Sequence, residues 1–172
     1  MKTVVFSLFI LLLLAFSAAG CKPGCKDVHC QNNGECISGG TCGCKGRWGG
    51  LYCDSLCAIG YEGTYCNIPS RDKFVRTWNA TTSSNSTGVV HHSLTVSNGV
   101  IVQQVIISNF NNENFSIVGT MLDYDKFEIL PQNAIGNYTG MVNGSGYLNG
   151  SNMAVSLTKQ VEGIDYFANC NK

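Results

Sequence analysis

Ten cysteines are the residues of this 172-residue chain whose number and spacing indicate definite chemistry. Eight of them lie within residues 25–66, whereas Cys21 precedes this group and Cys170 follows it alone. Cysteine thiolates hold zinc in groups of four, with histidine as a substitute ligand, and His29 stands beside Cys30. In an oxidising compartment the same cysteines form disulfides instead. The choice between the two chemistries therefore depends on where the chain resides.

Residues 1–20 have the features of a secretory signal peptide. They contain one charged residue, Lys2, followed by the apolar run VVFSLFILLLLAF and the small residues SAAG. The apolar run is shorter than the roughly 20 residues that span a bilayer, so it predicts cleavage rather than a transmembrane anchor. Export places the cysteines in an oxidising compartment, which favours disulfides over a zinc site.

The distribution of cysteines predicts two domains. Residues 21–67 are rich in Gly and Cys and poor in aliphatic residues, so this region needs covalent cross-links for stability. Residues 71–172 are rich in Asn, Ser, Thr, Val and Ile and are long enough for one small domain. The formal net charge is zero, which argues against nucleic acid as a partner.

The cysteine spacing of the first domain is specific. It reads Cys25-x4-Cys30-x5-Cys36-x5-Cys42-x-Cys44-x8-Cys53. Spacing alone does not choose among the many pairings of six cysteines. The pattern and the stretch CGCKGRWGGLYC resemble an EGF-like module over residues 25–53. Calcium-binding modules of that family carry acidic residues before the first cysteine; CKPGC has none, so no calcium site of that kind is expected. The resemblance implies the disulfides Cys25–Cys36, Cys30–Cys42 and Cys44–Cys53.

A stretch of this module is repeated shortly after it. CKGRWGGLYC (residues 44–53) and CAIGYEGTYC (residues 57–66) carry Cys, an aromatic residue, Gly, Tyr and Cys at matching positions. The repeat resembles the last third of a second module, whose two cysteines are left to pair as Cys57–Cys66. We expect the matching Trp48 and Tyr61 to pack across their own hairpins, which then act as structural staples. An aromatic platform for a ligand is the alternative.

Residues 71–172 show the alternation of apolar and polar residues that predicts β-strands. β-Branched and aromatic residues dominate the runs, and Asn98-Gly99 between two of them predicts a hairpin. No run has a helical period, so we predict an all-β antiparallel domain of about seven or eight strands, forming a curled sheet or small barrel. A cavity for an apolar ligand, as in lipocalin-like barrels, is the alternative to a packed core. Large residues expected inside are Ile106, Phe115, Val118 and Leu148.

The domain lacks a recognisable catalytic arrangement. His91 and His92 are adjacent on a strand, so their side chains point to opposite faces and cannot share a ligand. Asp123 and Asp125 would share one face of an extended strand, and paired carboxylates can serve acid–base catalysis. Exposed acids are nevertheless mostly solvated surface. We therefore predict no enzyme activity, no catalytic residue, no metal site and no cofactor.

Cys21 has two candidate fates. AAGC, residues 18–21, resembles a bacterial lipobox, in which diacylglycerol is attached to the cysteine and the preceding peptide bond is cleaved. Ala18 departs from the Leu usual at that position, whereas the small residues at 19 and 20 match. Lipid on Cys21 would leave Cys170 as a free thiol; otherwise the two cysteines can form a fifth disulfide.

Much of the mature chain also resembles small lipoproteins of Bacteroidota. The matching stretches are RDKFVRTWNAT, VIISNF, NGSGYLNGSNMAVSLT and the late Asn169-Cys170. Such domains often carry another cysteine soon after the Trp; this chain reads NATTSSNSTG there, which would account for a free Cys170. The resemblance implies a non-enzymatic protein anchored to the outer membrane through lipid on Cys21. Its EGF-like stalk would present the β-domain for binding or for cell-envelope structure.

Two other functions remain open at the level of sequence. One is a secreted EGF-like ligand or adhesion protein with N-glycans; the other is a lipocalin-like carrier of a small apolar ligand. A protein or glycan partner of the β-domain is expected, but the sequence does not identify it. The glycan interpretation depends on six Asn-x-Ser/Thr sequons, which an Asn-rich composition also produces by chance. They begin at Asn79, Asn85, Asn114, Asn137, Asn143 and Asn149.

Overall fold

The computed structural model describes residues 24–86 and 88–172. The predicted signal peptide, residues 1–20, and the predicted lipid-bearing Cys21 lie outside the described residues. Regular structure in the described part consists of β-strands and two short 3-10 helices, Ser70–Lys73 and Phe110–Asn112. Six short strands belong to residues 24–69, which we call the disulfide-rich module. They are β1 (Glu35–Ile37), β2 (Thr41–Gly43), β3 (Trp48–Gly49), β4 (Ser55–Leu56), β5 (Tyr61–Glu62) and β6 (Ile68–Pro69).

The rest of the described chain is a closed, eight-stranded antiparallel barrel, which confirms the predicted all-β antiparallel fold. Its strands are β7 (Arg76–Ser84), β8 (Gly88–Asn98), β9 (Gln104–Ser108), β10 (Phe115–Met121), β11 (Lys126–Asn133), the short β12 (Ile135–Gly136), β13 (Met141–Asn149), β14 (Asn152–Lys159) and β15 (Ile164–Asn171). Apart from β12, which pairs beside β10, strands that follow each other in the chain pair with each other. Pairing of β15 with β7 closes the sheet.

Strand alternation turns one side chain in two toward the barrel interior. In β10 the alternate positions 115, 117, 119 and 121 are buried, and the residues between them are half-buried. At one end of the interior, Trp78 donates its Nε1–H to Phe74 O at 2.8 Å, and Phe74 packs edge-on against Phe127 with ring centroids 5.3 Å apart. The largest fully buried side chains are Trp78, Phe74, Phe110, Phe127, Leu94, Ile107, Ile117, Ile129, Met153 and Leu157.

Two of the four residues expected inside the barrel face outward, so the prediction is wrong for them. Ile106 and Val118 are cross-strand neighbours on the outside of the barrel, and the residue after Ile106 and the residue before Val118 point inward. Both strands carry consecutive apolar residues, so their sequence supports either face, and barrel closure decides between them. The other two predictions hold: Phe115 is buried, and Leu148 packs half-buried against the core.

The hairpin predicted at Asn98-Gly99 exists, but its loop is longer than a two-residue turn. β8 ends at Asn98 and β9 begins at Gln104. The Gly99 N–H donates to Gln104 O at 3.0 Å, and a Cβ on Gly99 would lie only 2.4 Å from the Cβ of Gln104. Glycine is therefore needed for close approach of the two strands rather than for a tight turn.

A side chain completes the seam between β10 and β11. Backbone pairing of β10 with β11 covers two residue pairs, near Met121. Further along β11, its register with β13 shifts between Ile129 and Gln132. Beyond the shift, the Gln132 side chain accepts a hydrogen bond from Val118 N at 2.9 Å and donates one to Val118 O at 2.7 Å. The amide thus supplies the two bonds that a neighbouring backbone would supply.

The ring of Phe127 fits against two glycines. A Cβ on Gly146 would lie 2.1 Å from ring atom Cζ, and a Cβ on Gly119 would lie 2.7 Å from Cδ2. Gly146→Ala should therefore lower the free energy of unfolding by about 1–3 kcal/mol through overpacking, as measured by urea denaturation. Ser145→Ala on the outer face is the control and should have little effect. Adding Phe127→Leu to Gly146→Ala should recover part of the loss; strictly additive effects would contradict the contact.

Candidate functional site at the two ends of the barrel

Four disulfides cross-link the module. Within each bonded pair the Cα atoms lie between 5.2 and 5.9 Å apart, the separation that a disulfide spans. The structure brings together the same cysteines that the EGF-like resemblance and the repeated hairpin imply. The pairs are Cys25–Cys36, Cys30–Cys42, Cys44–Cys53 and Cys57–Cys66.

The two similar hairpins pack on each other. Gly49 of the first hairpin lies against the disulfide of the second, because a Cβ on Gly49 would lie 2.5 Å from Cys66 Sγ. Gly50 N also donates to Thr64 O at 2.8 Å. The repeat therefore gives the first hairpin a cross-linked partner to pack against, which an isolated two-stranded hairpin lacks.

Polar contacts fix the module to one end of the barrel, which we call the module end. In the 3-10 helix that follows the module, Arg71 Nη1 donates to three carbonyl oxygens of the β8–β9 loop region, at 2.5, 3.2 and 3.3 Å. Lys73 pairs with Glu62 at 2.5 Å, and Gln103 Nε2 donates to Ile59 O at 3.4 Å. The module is thus braced against the barrel at several points.

A groove of about 400 Å³ lies between the module and the β10–β11 loop. Trp48 lines it, and the cross-strand neighbours of Trp48 and Tyr61 are Leu56 and Pro69, which lie beyond the hairpins across which the two rings were expected to pack. An ion pair, Arg47–Asp123 at 3.2 Å, joins the two sides. Aromatic faces beside fixed polar groups at a domain boundary are typical of ligand sites. The lining residues are Asn32, Asn33, Lys45, Gly46, Arg47, Trp48, Leu56, Asp123 and Tyr124.

The His and Asp pairs considered for catalysis do not converge. His91 is exposed on the outside, whereas His92 is half-buried and its Nε2 accepts a hydrogen bond from Asn111 N at 3.1 Å. Burial lowers the pKa of His92. Asp123 and Asp125 lie in the bend between β10 and β11 rather than on a strand. Within the described residues, no group of three or more His, Cys, Asp or Glu is placed to hold a metal ion.

A buried lysine occupies the opposite end of the barrel, which we call the far end. The Lys159 side chain is 5% exposed, and its Nζ lies 2.6 Å from Glu113 Oε2 and 3.7 Å from Glu162 Oε2. A lysine inside a protein needs such partners, because an isolated buried charge is very costly. Three aromatic rings complete the surroundings of Nζ: Tyr138, Tyr166 and Phe115, with centroids at 4.3, 5.4 and 5.8 Å.

The electrostatics of the far end favour the charged lysine. Burial lowers the pKa of Lys159, but the hydrogen bond and negative charge of Glu113 outweigh burial, and the pKa lies above its ordinary value. Burial also raises the pKa of Tyr138 and of Tyr166, which keeps both phenols neutral. The cluster therefore holds one ammonium group among neutral rings and carboxylates.

Lys159 was missed by the sequence reasoning, although the sequence contains a signal. In NMAVSLTK, the strand β14, Lys159 follows Met153, Val155 and Leu157 at intervals of two. A lysine on the apolar face of an alternating strand must be buried with a partner or must end the strand. Its partner, Glu113, lies in a loop 46 residues earlier, and no local pattern connects them.

Cys170 is a free thiol on the inner face of the barrel. Its side chain is fully buried, and burial raises the pKa of the thiol from its ordinary 9.0 to about 12. The predicted lipid attachment at Cys21 falls outside the described residues. Among the described cysteines, Cys170 is the one without a disulfide.

Two surface features bear on where the protein acts. No helix in the described part of the chain is long and apolar enough to cross a membrane. The asparagines of the six sequons all lie on the barrel, where Asn143 is half-buried and the others are exposed.

The burial of Cys170 predicts both its reactivity and a pH effect. Iodoacetamide should leave Cys170 unmodified in the native protein and alkylate it once the protein is unfolded. As pH rises from 9.0 toward 12, the unfolded thiol ionises before the folded one. The unfolded state then binds fewer protons, so the free energy of unfolding should fall over this range, and fall less in Cys170→Ala. Rapid alkylation of Cys170 in the native protein would contradict its burial.

Comparison with known proteins gives one short similarity. The chain is 50% identical over 30 residues to Protein eyes shut of Drosophila melanogaster, an EGF-domain-containing protein. The match covers 17% of this chain and 1% of that protein, so the chain spans a very small fraction of its relative. No protein-family model matches the chain, and no solved structure matches it significantly. The similarity supports an EGF-like stretch and extends no further.

Proposed function

We propose that this protein is an exported, non-enzymatic lipoprotein of the bacterial outer membrane. Lipid on Cys21 anchors it, the disulfide-rich module serves as a short rigid support, and the barrel is presented for binding a partner or for a structural role in the cell envelope. Acyl chains such as palmitate would supply the membrane affinity, at about 0.8 kcal/mol for each buried CH2.

The observation that carries this proposal is which cysteines have disulfide partners and which do not. The eight cysteines of residues 25–66 pair among themselves, and the Cys170 thiol is fully buried in the barrel. A disulfide between Cys21 and Cys170 would require the barrel to open or the N-terminal segment to enter its core. Cys21 is therefore left without an accessible partner, and an unpaired cysteine is unusual in an exported protein. Attachment of lipid would account for Cys21, and burial shields the thiol of Cys170, which stays unpaired.

The arrangement of the two domains also supports presentation of the barrel. The module contacts the end of the barrel where β7 begins, and the strands then run to the far end. With the membrane on the module side, the far end would be directed away from it. The hydrogen bonds and ion pairs between module and barrel would hold that orientation.

A secreted, glycosylated EGF-like ligand or adhesion protein is the competing function. The sequon asparagines at the barrel surface are compatible with it. In that case Cys21 would carry no lipid, and glycans would add mass to the barrel.

The mass of the mature protein from its own host distinguishes the two functions. We expect the mass of a chain beginning at Cys21 with diacylglycerol and acyl groups, partitioning into the detergent phase. Cys21→Ser should abolish the lipid mass and the processing that follows lipid attachment. Cys170→Ala is the matched control and should keep both, because its thiol takes no part. An unmodified Cys21 in the processed protein would overturn the proposal, and glycan mass would favour the secreted alternative.

A further inference from the structure

A short segment of the chain closes the far end of the barrel. Residues 109–114, which we call the plug, connect β9 to β10 and include the second 3-10 helix. Phe110 of the plug is fully buried, and its ring meets Tyr166 edge-on at 6.1 Å between centroids. Glu113 of the plug makes the 2.6 Å contact with Lys159. The plug thus inserts an aryl group and a carboxylate into the same end of the barrel.

The plug has a backbone that is costly to maintain. Asn109, Asn111 and Asn112 all have positive φ values, of 60, 55 and 58°. Asparagine tolerates this left-handed region better than other residues, but three such positions within four residues still store strain. The burial of Phe110 and the ion pair of Glu113 offset this strain, together with two hydrogen bonds to β8, from Asn109 Nδ2 to Ser93 O at 2.7 Å and from Asn111 N to His92 Nε2 at 3.1 Å.

Several buried polar atoms in the far half of the barrel have no hydrogen-bond partner. Thr82 is fully buried on the inner face of β7, and its Oγ1 makes no hydrogen bond. By register, Thr82 stands beside Ala168 of β15, one inward position from Tyr166. Buried polar groups without partners are rare in native proteins and often mark a place that a ligand completes. Asn111 Oδ1 and Tyr138 Oη are likewise buried without a hydrogen-bond partner.

We propose that the far end is a binding site for a small amphiphilic carboxylate, and that the plug occupies it in the absence of ligand. The carboxylate of the ligand would pair with Lys159 in place of Glu113, and its apolar body would take the position of the Phe110 ring. Thr82 and Tyr138 then offer hydrogen bonds to a polar substituent of the ligand.

The positive charge of Lys159 determines which class of ligand the site prefers. When Glu113 leaves with the plug, Lys159 remains buried among aromatic rings, with Glu162 at 3.7 Å as its nearest remaining acid. A neutral or cationic ligand would leave the ammonium group poorly compensated in a low-dielectric site, and such a charge is strongly destabilising. An anionic ligand restores the ion pair, so the site prefers a carboxylate over the alcohol of the same shape.

This inference goes beyond the proposed function and does not depend on lipid at Cys21. Loss of the lipid would change where the protein resides, whereas loss of the far-end site would leave the anchored protein in place. The mass measurement and the ligand titration can therefore fail separately.

The test is a calorimetric titration of the full mature protein, held in nanodiscs where it carries lipid and in buffer where it does not, with empty nanodiscs as the blank. The probes are hydrocinnamate, which resembles Phe110 and Glu113 in carrying an aryl group and a carboxylate, and hydrocinnamyl alcohol, its neutral counterpart. We expect saturable binding of the acid and at least about tenfold weaker binding of the alcohol. Glu113→Gln should bind the acid about tenfold more tightly than the wild type, because this variant lacks the Glu113 carboxylate that competes with the ligand for Lys159.

Three further variants make the result specific. Lys159→Met should bind acid and alcohol equally, and Glu128→Gln, on the outer face of β11 near the module end, is the matched control that should behave like the wild type. Phe110→Ala keeps the ion pair between Glu113 and Lys159. It should bind both probes more tightly while preserving the preference for the acid. This variant keeps the test valid if Glu113→Gln fails to fold. Preference for the acid in Lys159→Met, or no saturable binding of the acid by the wild type and Phe110→Ala, would overturn the proposal.

Discussion

Lys159 places an ammonium group inside a largely apolar barrel, and Glu113 reaches it at 2.6 Å from a loop far away in sequence. The far end is organised around this pair. Removing Glu113 leaves the buried ammonium group without its closest partner, which typically costs about 3–5 kcal/mol, whereas the Glu113 side chain is 34% exposed and its charge tolerates the loss of Lys159 better. The plug is therefore held by an electrostatic requirement as well as by the packing of Phe110. An ion pair of this kind adds little net stability over a hydrophobic pair, so its presence is consistent with the binding site that we propose at this end of the barrel.

The opposite end is organised by cross-links. The module has little core of its own, and its disulfides substitute for one by restricting the unfolded chain. Arg71 then joins the module to the barrel by donating to three carbonyl oxygens, so the end nearest the N-terminus is rigid. One end of the barrel is thus held by a cross-linked module, and the other is closed by a strained plug.

Local pattern predicted the class of the barrel and little of its interior. Alternation and turn residues indicate antiparallel strands, but a run such as VIIS has apolar residues on both faces, and the sequence did not determine that Ile106 turns outward. The pairing of the cysteines came from a resemblance rather than from spacing. Lys159 stands at an inward position of β14, a signal that local reasoning could have used, yet Glu113 and Gln132 act through contacts that only barrel closure creates. Such long-range contacts depend on the fold and have no signature in the neighbouring residues.

The charge state of Lys159 is the most direct test of how the far end works. An NMR titration of the protein with 13C at the lysine Cε follows each ammonium group separately. We predict that Lys159 loses its proton at a pH above the ordinary lysine value of 10.5, because Glu113 stabilises the charged form more than burial disfavours it. In Glu113→Gln the same resonance should titrate at lower pH. Titration of Lys159 below 10.5 in the wild-type protein, unchanged in Glu113→Gln, would contradict the ion pair and the binding site built on it.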